Sequence, residues 1–184
     1  MANLILNGST SGSVTLSSPA VSGTTTLTLP TTSGTVITTG STFAGTGPAF
    51  SAYLASGQTI TASTYTKVQI NTEEFDTNSN YDNATNYRFT PTVAGYYQVN
   101  GSIRYDASTT PTRAIIGIYK NGAEFKRGND LGNNSTQAIV STLVYFNGST
   151  DYVELWAYIT AVTAIIGTAG QALVYFQASM VRSA

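Results

Sequence analysis

From Gly95 onward the chain alternates between apolar and polar positions. Tyr97, Val99, Ile103 and Tyr105 share one parity, while Gln98, Asn100, Ser102 and Arg104 share the other. A period of two predicts a strand with one face in the core and one polar face. Thr90, Pro91 and Gly95 punctuate the approach, so residues 86–105 carry the clearest strand–turn–strand grammar of the chain. Residues 113–120 form the next predicted strand. Asn121-Gly122 follows it, the strongest short hairpin signal, because both central positions of a type I′ turn need positive φ. Residues 123–126 are then a return strand, 128–135 a loop and 136–146 a long strand. Asn147-Gly148 marks a second tight turn, before strands at 152–160 and 173–181. Upstream, 49–54 and 64–70 read as short strands around Ser56-Gly57, and 78–86 as an Asn-rich loop. No stretch shows a 3.6-residue period, and strands recur about every ten residues, which is the pattern of an all-β sandwich or jelly roll.

The first 47 residues differ. They hold no charged residue and are dominated by Ser, Thr and Gly. Disorder ordinarily comes with high charge, and here β-branched residues sit between breakers in Ser13-Val14-Thr15-Leu16, Thr26-Leu27-Thr28-Leu29 and Thr35-Val36-Ile37-Thr38. Such a segment buries too little apolar surface alone, so it is expected to order against copies of itself or a partner; the bland alternative is a Ser/Thr tether. Residues 41–47 read as the joint, dividing the chain into an attachment or oligomerisation segment, 1–47, and a head, 48–184.

Two predicted strands carry apolar groups on both parities. In 152–159, Val153, Leu155, Ala157 and Ile159 form one face, yet Tyr152, Trp156 and Tyr158 line the other. In 173–181, Val174, Phe176 and Met180 oppose Leu173, Tyr175 and Val181. A lone sandwich buries one face of each sheet. The pattern therefore points to an outer face covered by another subunit, with a local cover by residues 161–167 as the alternative.

Composition narrows the chemistry. A chain of 184 residues buries roughly 70% of its unfolded surface and needs no staples. The absence of Cys excludes disulfides and thiolate chemistry, and the absence of His removes the commonest general base and metal ligand. Charged residues make up 9% and the net charge is −1, no footprint for nucleic acid or anionic lipid. No segment has the roughly 20 apolar residues of a membrane helix, and the N-terminus lacks the basic region of a signal peptide, so synthesis without classical export is expected. Glu73, Glu74, Asp76 and Asp82 offer oxygens to calcium but lack regular loop spacing, so a solvated acidic loop is favoured. Asp151 and Glu154 differ in parity and have no supporting catalytic motif. No residue is singled out as catalytic or metal-ligating, and no cofactor is expected. Tyr81 and Tyr87 beside the Asn-rich loop are candidates for a receptor- or glycan-contacting rim.

Several ordered motifs over residues 48–182 resemble the C1q-like domain of the C1q/TNF superfamily. Ala49-Phe50-Ser51-Ala52 is similar to the first strand of that family, Tyr81-Asp82, Tyr87-Arg88-Phe89-Thr90-Pro91 and Val93-Ala94-Gly95-Tyr96-Tyr97 to its central signature, and Lys120-Asn121-Gly122 to its turn. Tyr175-Phe176-Gln177-Ala178 is similar to the closing segment, with Ala where Gly is usual. The resemblance implies a ten-stranded jelly roll assembled as a compact trimer, one sheet facing the threefold axis. On that mapping Gln98, Asn100, Thr142, Trp156, Tyr175 and Gln177 are candidates for the trimer interface.

Residues 1–47 resemble the Ser/Gly/Thr-rich segments of tailed-phage fibre and virion surface proteins. Together the two resemblances imply a non-enzymatic, homotrimeric virion surface protein of a tailed bacteriophage, a capsid-decorating head fibre or a tail fibre. Residues 1–47 would anchor it to capsid or tail proteins, and the head would stabilise the particle or contact a host-surface glycan or protein. The alternative is a free bacterial lectin-like module that binds carbohydrate or protein.

Overall fold

The computed structural model describes residues 4–7, 9–16, 23–24, 47–105, 111–132, 137–160, 164–166 and 172–184. The chain divides into two compact units, residues 1–37 and 38–184. The expected strands at 26–29 and 35–38, and the expected joint up to residue 46, lie outside the described residues. In the first unit β1 (Leu4–Asn7) and β2 (Ser13–Leu16) pair antiparallel, with Leu4 opposite Leu16 and Leu6 opposite Val14. The motif at 13–16 is thus a strand as expected. Its partner β1 was hidden because four residues are too few to show a period. Ile5 and Leu6 remain exposed.

The second unit is a sandwich of two antiparallel sheets. One joins β3 (Ala49–Tyr53), β6 (Thr72–Asp76), β9 (Gly95–Arg104), β12 (Gln137–Phe146) and β15 (Tyr175–Ser183) in the order β12-β9-β15-β3-β6. The other joins β7 (Tyr81–Asp82), β8 (Arg88–Phe89), β10 (Ala114–Lys120), β11 (Ala123–Leu131) and β13 (Val153–Ile159) in the order β11-β10-β13-β8-β7, with β5 (Thr66–Lys67) also on β13. A small pair, β4 (Gln58–Ile60) with β14 (Ala164–Ile166), lies beside them.

β9 sits inside its sheet, between β12 and β15, and its predicted parity holds. Tyr97, Val99 and Ile103 are fully buried and Tyr105 nearly so. Gly101 is needed for the approach of the two sheets, since a Cβ there would stand 2.5 Å from Leu155 Cδ1. An aromatic string fills one end of the core. Phe50 stacks on Tyr81 and on Phe89, with ring centroids 4.5 Å apart in each pair, and Phe146 meets Tyr97 edge-on at 5.1 Å. Contacts of this kind add about 0.5–1.5 kcal/mol each beyond the area they bury.

The two Asn-Gly pairs behave differently. Asn121 and Gly122 have φ of 53° and 82°, the type I′ turn expected between β10 and β11. At Asn147-Gly148 only the glycine has positive φ, and Asn147 Oδ1 accepts from the amides of Ser149, Thr150 and Asp151. That side-chain cap turns the chain from β12 in one sheet to β13 in the other, so the second pair makes no hairpin. The loop expected at 128–135 is shorter than anticipated, because β11 continues to Leu131. An edge strand exposed on both sides has no apolar parity to betray it. The strand expected at 64–70 pairs only at Thr66–Lys67, and the Asn-rich loop holds the short strand β7.

Candidate functional site

The outward face of the five-stranded sheet is built by the parity opposite to the core. On β9 it presents Tyr96, Gln98 and Asn100; on β12, Ile139, Ser141, Leu143 and Tyr145; on β15, Tyr175, Gln177, Ser179 and Val181. Register sets their neighbours: Gln177 lies opposite Asn100, Asn100 opposite Ser141, and Tyr96 opposite Tyr145. The centre is a polar network. Gln98 Nε2 donates to Asn100 Oδ1 at 3.1 Å and to Ser141 Oγ at 2.9 Å, and Ser141 Oγ donates to Asn100 Oδ1 at 2.8 Å. Large apolar groups flank it in the open. Leu143 is 57% exposed and Ile139 54%, and Tyr96, Leu143, Tyr145 and Val181 line a depression of about 600 Å³ beside the C-terminus. Phe75, 52% exposed on the edge strand β6, lines a shallow depression together with Gln177 and Asn100, across β3 from them.

Of the expected interface residues, Gln98, Asn100, Tyr175 and Gln177 therefore come together on one face. Thr142 does not. It shares the parity of Val140 and Val144, opposite Val99, and so belongs to the core side of β12. The error came from reading one residue's parity in a strand whose two faces both carry apolar groups. Ser102, on the outward parity of β9, is nonetheless buried, donating to the Leu173 carbonyl at 2.9 Å and accepting from Gln137 Nε2.

Trp156 lies elsewhere, on the outer face of the six-stranded sheet. Its ring stacks on Tyr119 at 4.5 Å, and Tyr65 packs against both Tyr119 and Tyr158. Its Nε1 donates to Glu154 Oε2 at 3.0 Å, while Lys67 Nζ stands 2.7 Å from Glu154 Oε1 and donates to the Asn86 carbonyl. Glu154 is buried, and both its oxygens have partners. The apolar outer parity of 152–159, for which cover by another subunit was expected, is half-buried against the chain's own residues 65–67; most of 161–167, the alternative cover, lies outside the described residues. Sequence separation hid this, because Lys67 and Glu154 are 87 residues apart.

The rim expected from Tyr81 and Tyr87 splits in the same way. Tyr81 is buried in the aromatic string, and its hydroxyl donates to the Ile70 carbonyl at 2.9 Å; burial pushes that hydroxyl well above the ordinary tyrosine range. It is a core residue. Tyr87 is half-buried at the surface with φ of 51°.

Of the acidic residues singled out by sequence, Glu74, Asp76, Asp82, Asp151 and Glu154 have partners within the fold, and Glu73 is exposed. Asp82 accepts from the amides of Thr85, Ala84 and Asn86, which hold its carboxyl down at about 2. Asp76 accepts from the Tyr81 and Asn78 amides, and Glu74 accepts from Ser51 Oγ at 2.6 Å. Burial alone would raise the Asp151 carboxyl, yet bonds from Asn121 and Lys120 outweigh it and leave it lowered. Among the described residues no group of three His, Cys, Asp or Glu gathers as a metal site, and no helix is long and apolar enough to cross a membrane.

No protein-family model matches the sequence, and no curated protein matches it. Solved structures do match the fold. The globular domain of zebrafish complement 1qA protein aligns at 15% identity and a TM-score of 0.53, covering 74% of this chain and 99% of that one. The PRD1 vertex protein P5 aligns at 14% identity and 0.51, covering 74% and 98%. Eiger TNF from S. frugiperda aligns at 8% identity and 0.52, covering 75% and 93%. Two antiparallel sheets in this order, filled from β9 outward, make the chain's second unit a jelly roll of the C1q/TNF type.

Proposed function

We propose that this protein is a non-enzymatic structural subunit that assembles as a homotrimer through the outward face of its five-stranded sheet. The observation that carries the reading is an asymmetry between the two outer faces. On the six-stranded sheet Trp156 and Tyr158 are half-buried beside Tyr65 and Lys67, and of the described large apolar residues Phe125 on the edge strand β11 is exposed at 38%, whereas Tyr96, Ile139, Leu143, Tyr145 and Val181 on the five-stranded sheet are all exposed. Exposed apolar groups gathered on one face mark an interaction surface. The same face has no charge at its centre, so identical copies meet on it without repulsion.

The subunit works, on this proposal, at the surface of a tailed-phage virion as a decorating head fibre or a tail fibre. Residues 1–47 attach it to capsid or tail proteins, and the jelly roll projects to stabilise the particle or to bind a host-surface glycan or protein. A fold shared with a vertex protein, and the fibre-like composition of residues 1–47, support this reading. Many copies on one particle convert weak contacts into avidity, a gain on the order of 10²–10⁴. Deleting residues 1–47 tests it. The truncated head is expected to stay trimeric by light scattering while losing association with particles. A head that binds cells unaltered, from a full chain that never joins particles, supports a free lectin-like module instead.

A further inference from the structure

Aromatic and charged side chains gather around Trp156 on the outer face of the six-stranded sheet. Register sets Arg127 and Trp156 on either side of Gly117, and Glu124 and Glu154 on either side of Tyr119. The glycine leaves its row open, and the Tyr119 ring lies beside the gap: a Cβ at position 117 would stand 3.7 Å from Tyr119 Cε2. Tyr119 is near-parallel to Trp156, at 19°, and the Arg127 guanidinium stands over the Tyr65 ring at 5.9 Å. Tyr65, Tyr119, Trp156 and Tyr158 are all half-buried, so each keeps part of its surface in water. Among the described residues the three tyrosine hydroxyls of this group have no hydrogen-bond partner. Arg88, in register with Glu154 on the neighbouring strand, lies over the Tyr152 ring at 4.4 Å, and among the described residues its guanidinium has no ion pair or hydrogen bond.

The other ionised groups around these rings are closed into pairs: Lys67 with Glu154, Arg127 with Glu124 and Arg113 with Asp130. No large aliphatic side chain is exposed on this sheet among the described residues, and Ile115, on the outer parity of β10, is buried. A protein partner with an apolar interface core would strand the free hydroxyls and desolvate the pairs. A nucleic acid draws its affinity from cations free to meet phosphates, which closed pairs do not supply. A sugar ring has C–H groups on its face and hydroxyls at its edge. It covers an aromatic ring while giving each phenol and guanidinium a hydroxyl to bond.

We infer that this face is a carbohydrate-binding platform. Its ligand is an oligosaccharide laid along β13, with rings against Tyr65, Tyr119 and Trp156 and hydroxyls on Arg88 and the free phenols. From Tyr152 to Tyr158 the strand runs roughly 20 Å, room for several sugar units. The platform lies on the sheet opposite the proposed assembly face, so a trimer leaves it open. The inference narrows the glycan or protein contact proposed above to a glycan and holds without the trimer or the virion.

The soluble full chain tests it on an array of defined glycans. Hexasaccharides of the class that binds are then titrated by calorimetry and against the fluorescence of Trp156, the sole tryptophan. One class of related glycans is expected to bind and to change the emission saturably. Tyr119→Ala and Arg88→Ala, each checked for fold by far-ultraviolet circular dichroism, are expected to weaken binding roughly three- to tenfold, as loss of one aromatic or cationic contact does. Leu143→Asp, on the other sheet, is expected to keep the affinity per site. A folded full chain that binds no glycan on the array overturns the inference, as does binding that neither Tyr119→Ala nor Arg88→Ala weakens. A monomeric chain, or one that never joins particles, defeats the proposed assembly or virion role and leaves the platform standing.

Discussion

Single side chains hold the turns of this fold, and their neighbours explain why. Asp82 folds the segment after β7 by accepting from three successive backbone amides and from Asn86 Nδ2. Removing a cap of this kind costs about 1 kcal/mol, so Asp82→Ala should lower the urea midpoint by a corresponding amount with an unchanged slope. Gly148 has φ of +72°, and a Cβ there would stand 2.4 Å from the Ala94 nitrogen. Gly148→Ala should therefore cost more than about 1 kcal/mol by thermal or chemical unfolding, since strain and clash act together. The Asp82 cap is local, its partners lying two to four residues on, whereas the Gly148 clash is not visible in a local pattern. The Asn-Gly signal was legible at both sites, but the cap that Asn147 forms and the approach of Gly148 to residue 94 distinguish the crossing turn from a hairpin.

At the scale of elements, the Lys67–Glu154 pair fastens β5 onto β13. The pair is 2.7 Å long, with Glu154 6% exposed and Lys67 31%. Breaking a buried pair by deleting one partner costs about 3–5 kcal/mol, and the partial access of Lys67 to water puts Glu154→Ala below that range, at about 2–3 kcal/mol. Glu154→Gln should cost less, because an amide oxygen still accepts from Trp156 Nε1. Tryptophan fluorescence would read the difference directly, Trp156 being the sole tryptophan. β9 was legible as a strand because one parity is buried along it, and β10, buried on both parities from Ala114 to Ile118, was legible from the Asn-Gly turn that ends it. β5, β7 and β8 are two-residue pieces too short to show a period; β5 and β8 pair with β13, far along the chain, and β7 pairs with β8 across a loop.

For the whole molecule, the absence of His and Cys leaves no side chain titrating in the ordinary range between pH 5 and 8, and stability should be flat there. Asp82 is lowered from 3.8 to about 2 in the fold, so its contribution is present above pH 4 and is lost as pH falls through 2. Asp130, Glu124 and Asp151 are lowered too and act in the same direction. Tyr97 is pushed up to about 12 by burial, so its contribution holds below pH 10 and fades as pH rises toward 12. Calorimetry across pH should show a plateau with falls at both ends; a step near pH 6.5 would contradict it. Assembly adds a separate check. Leu143→Asp should convert the proposed trimer to a monomer that keeps the far-ultraviolet β signature, because the residue is 57% exposed on the outward face.

The sequence by itself determined the class of fold, the course of β9, the turn at Asn121-Gly122 and the exclusion of thiol and imidazole chemistry. These are local properties: a period of two, a dihedral requirement, an inventory. Parity also set Gln98 beside Asn100 and Tyr175 beside Gln177 along their own strands; that the two pairs share a face was implied by the resemblance and is seen in the register of β15 on β9. Tertiary structure alone decided which outer face is covered by the chain itself and which is open. That choice depends on Tyr65 and Lys67 meeting Trp156, Tyr158 and Glu154 across the chain. Tyr81 is drawn inward in the same way, by Phe50 and Phe176. A side chain's environment is set by what packs against it, and packing partners are chosen in space, not in sequence.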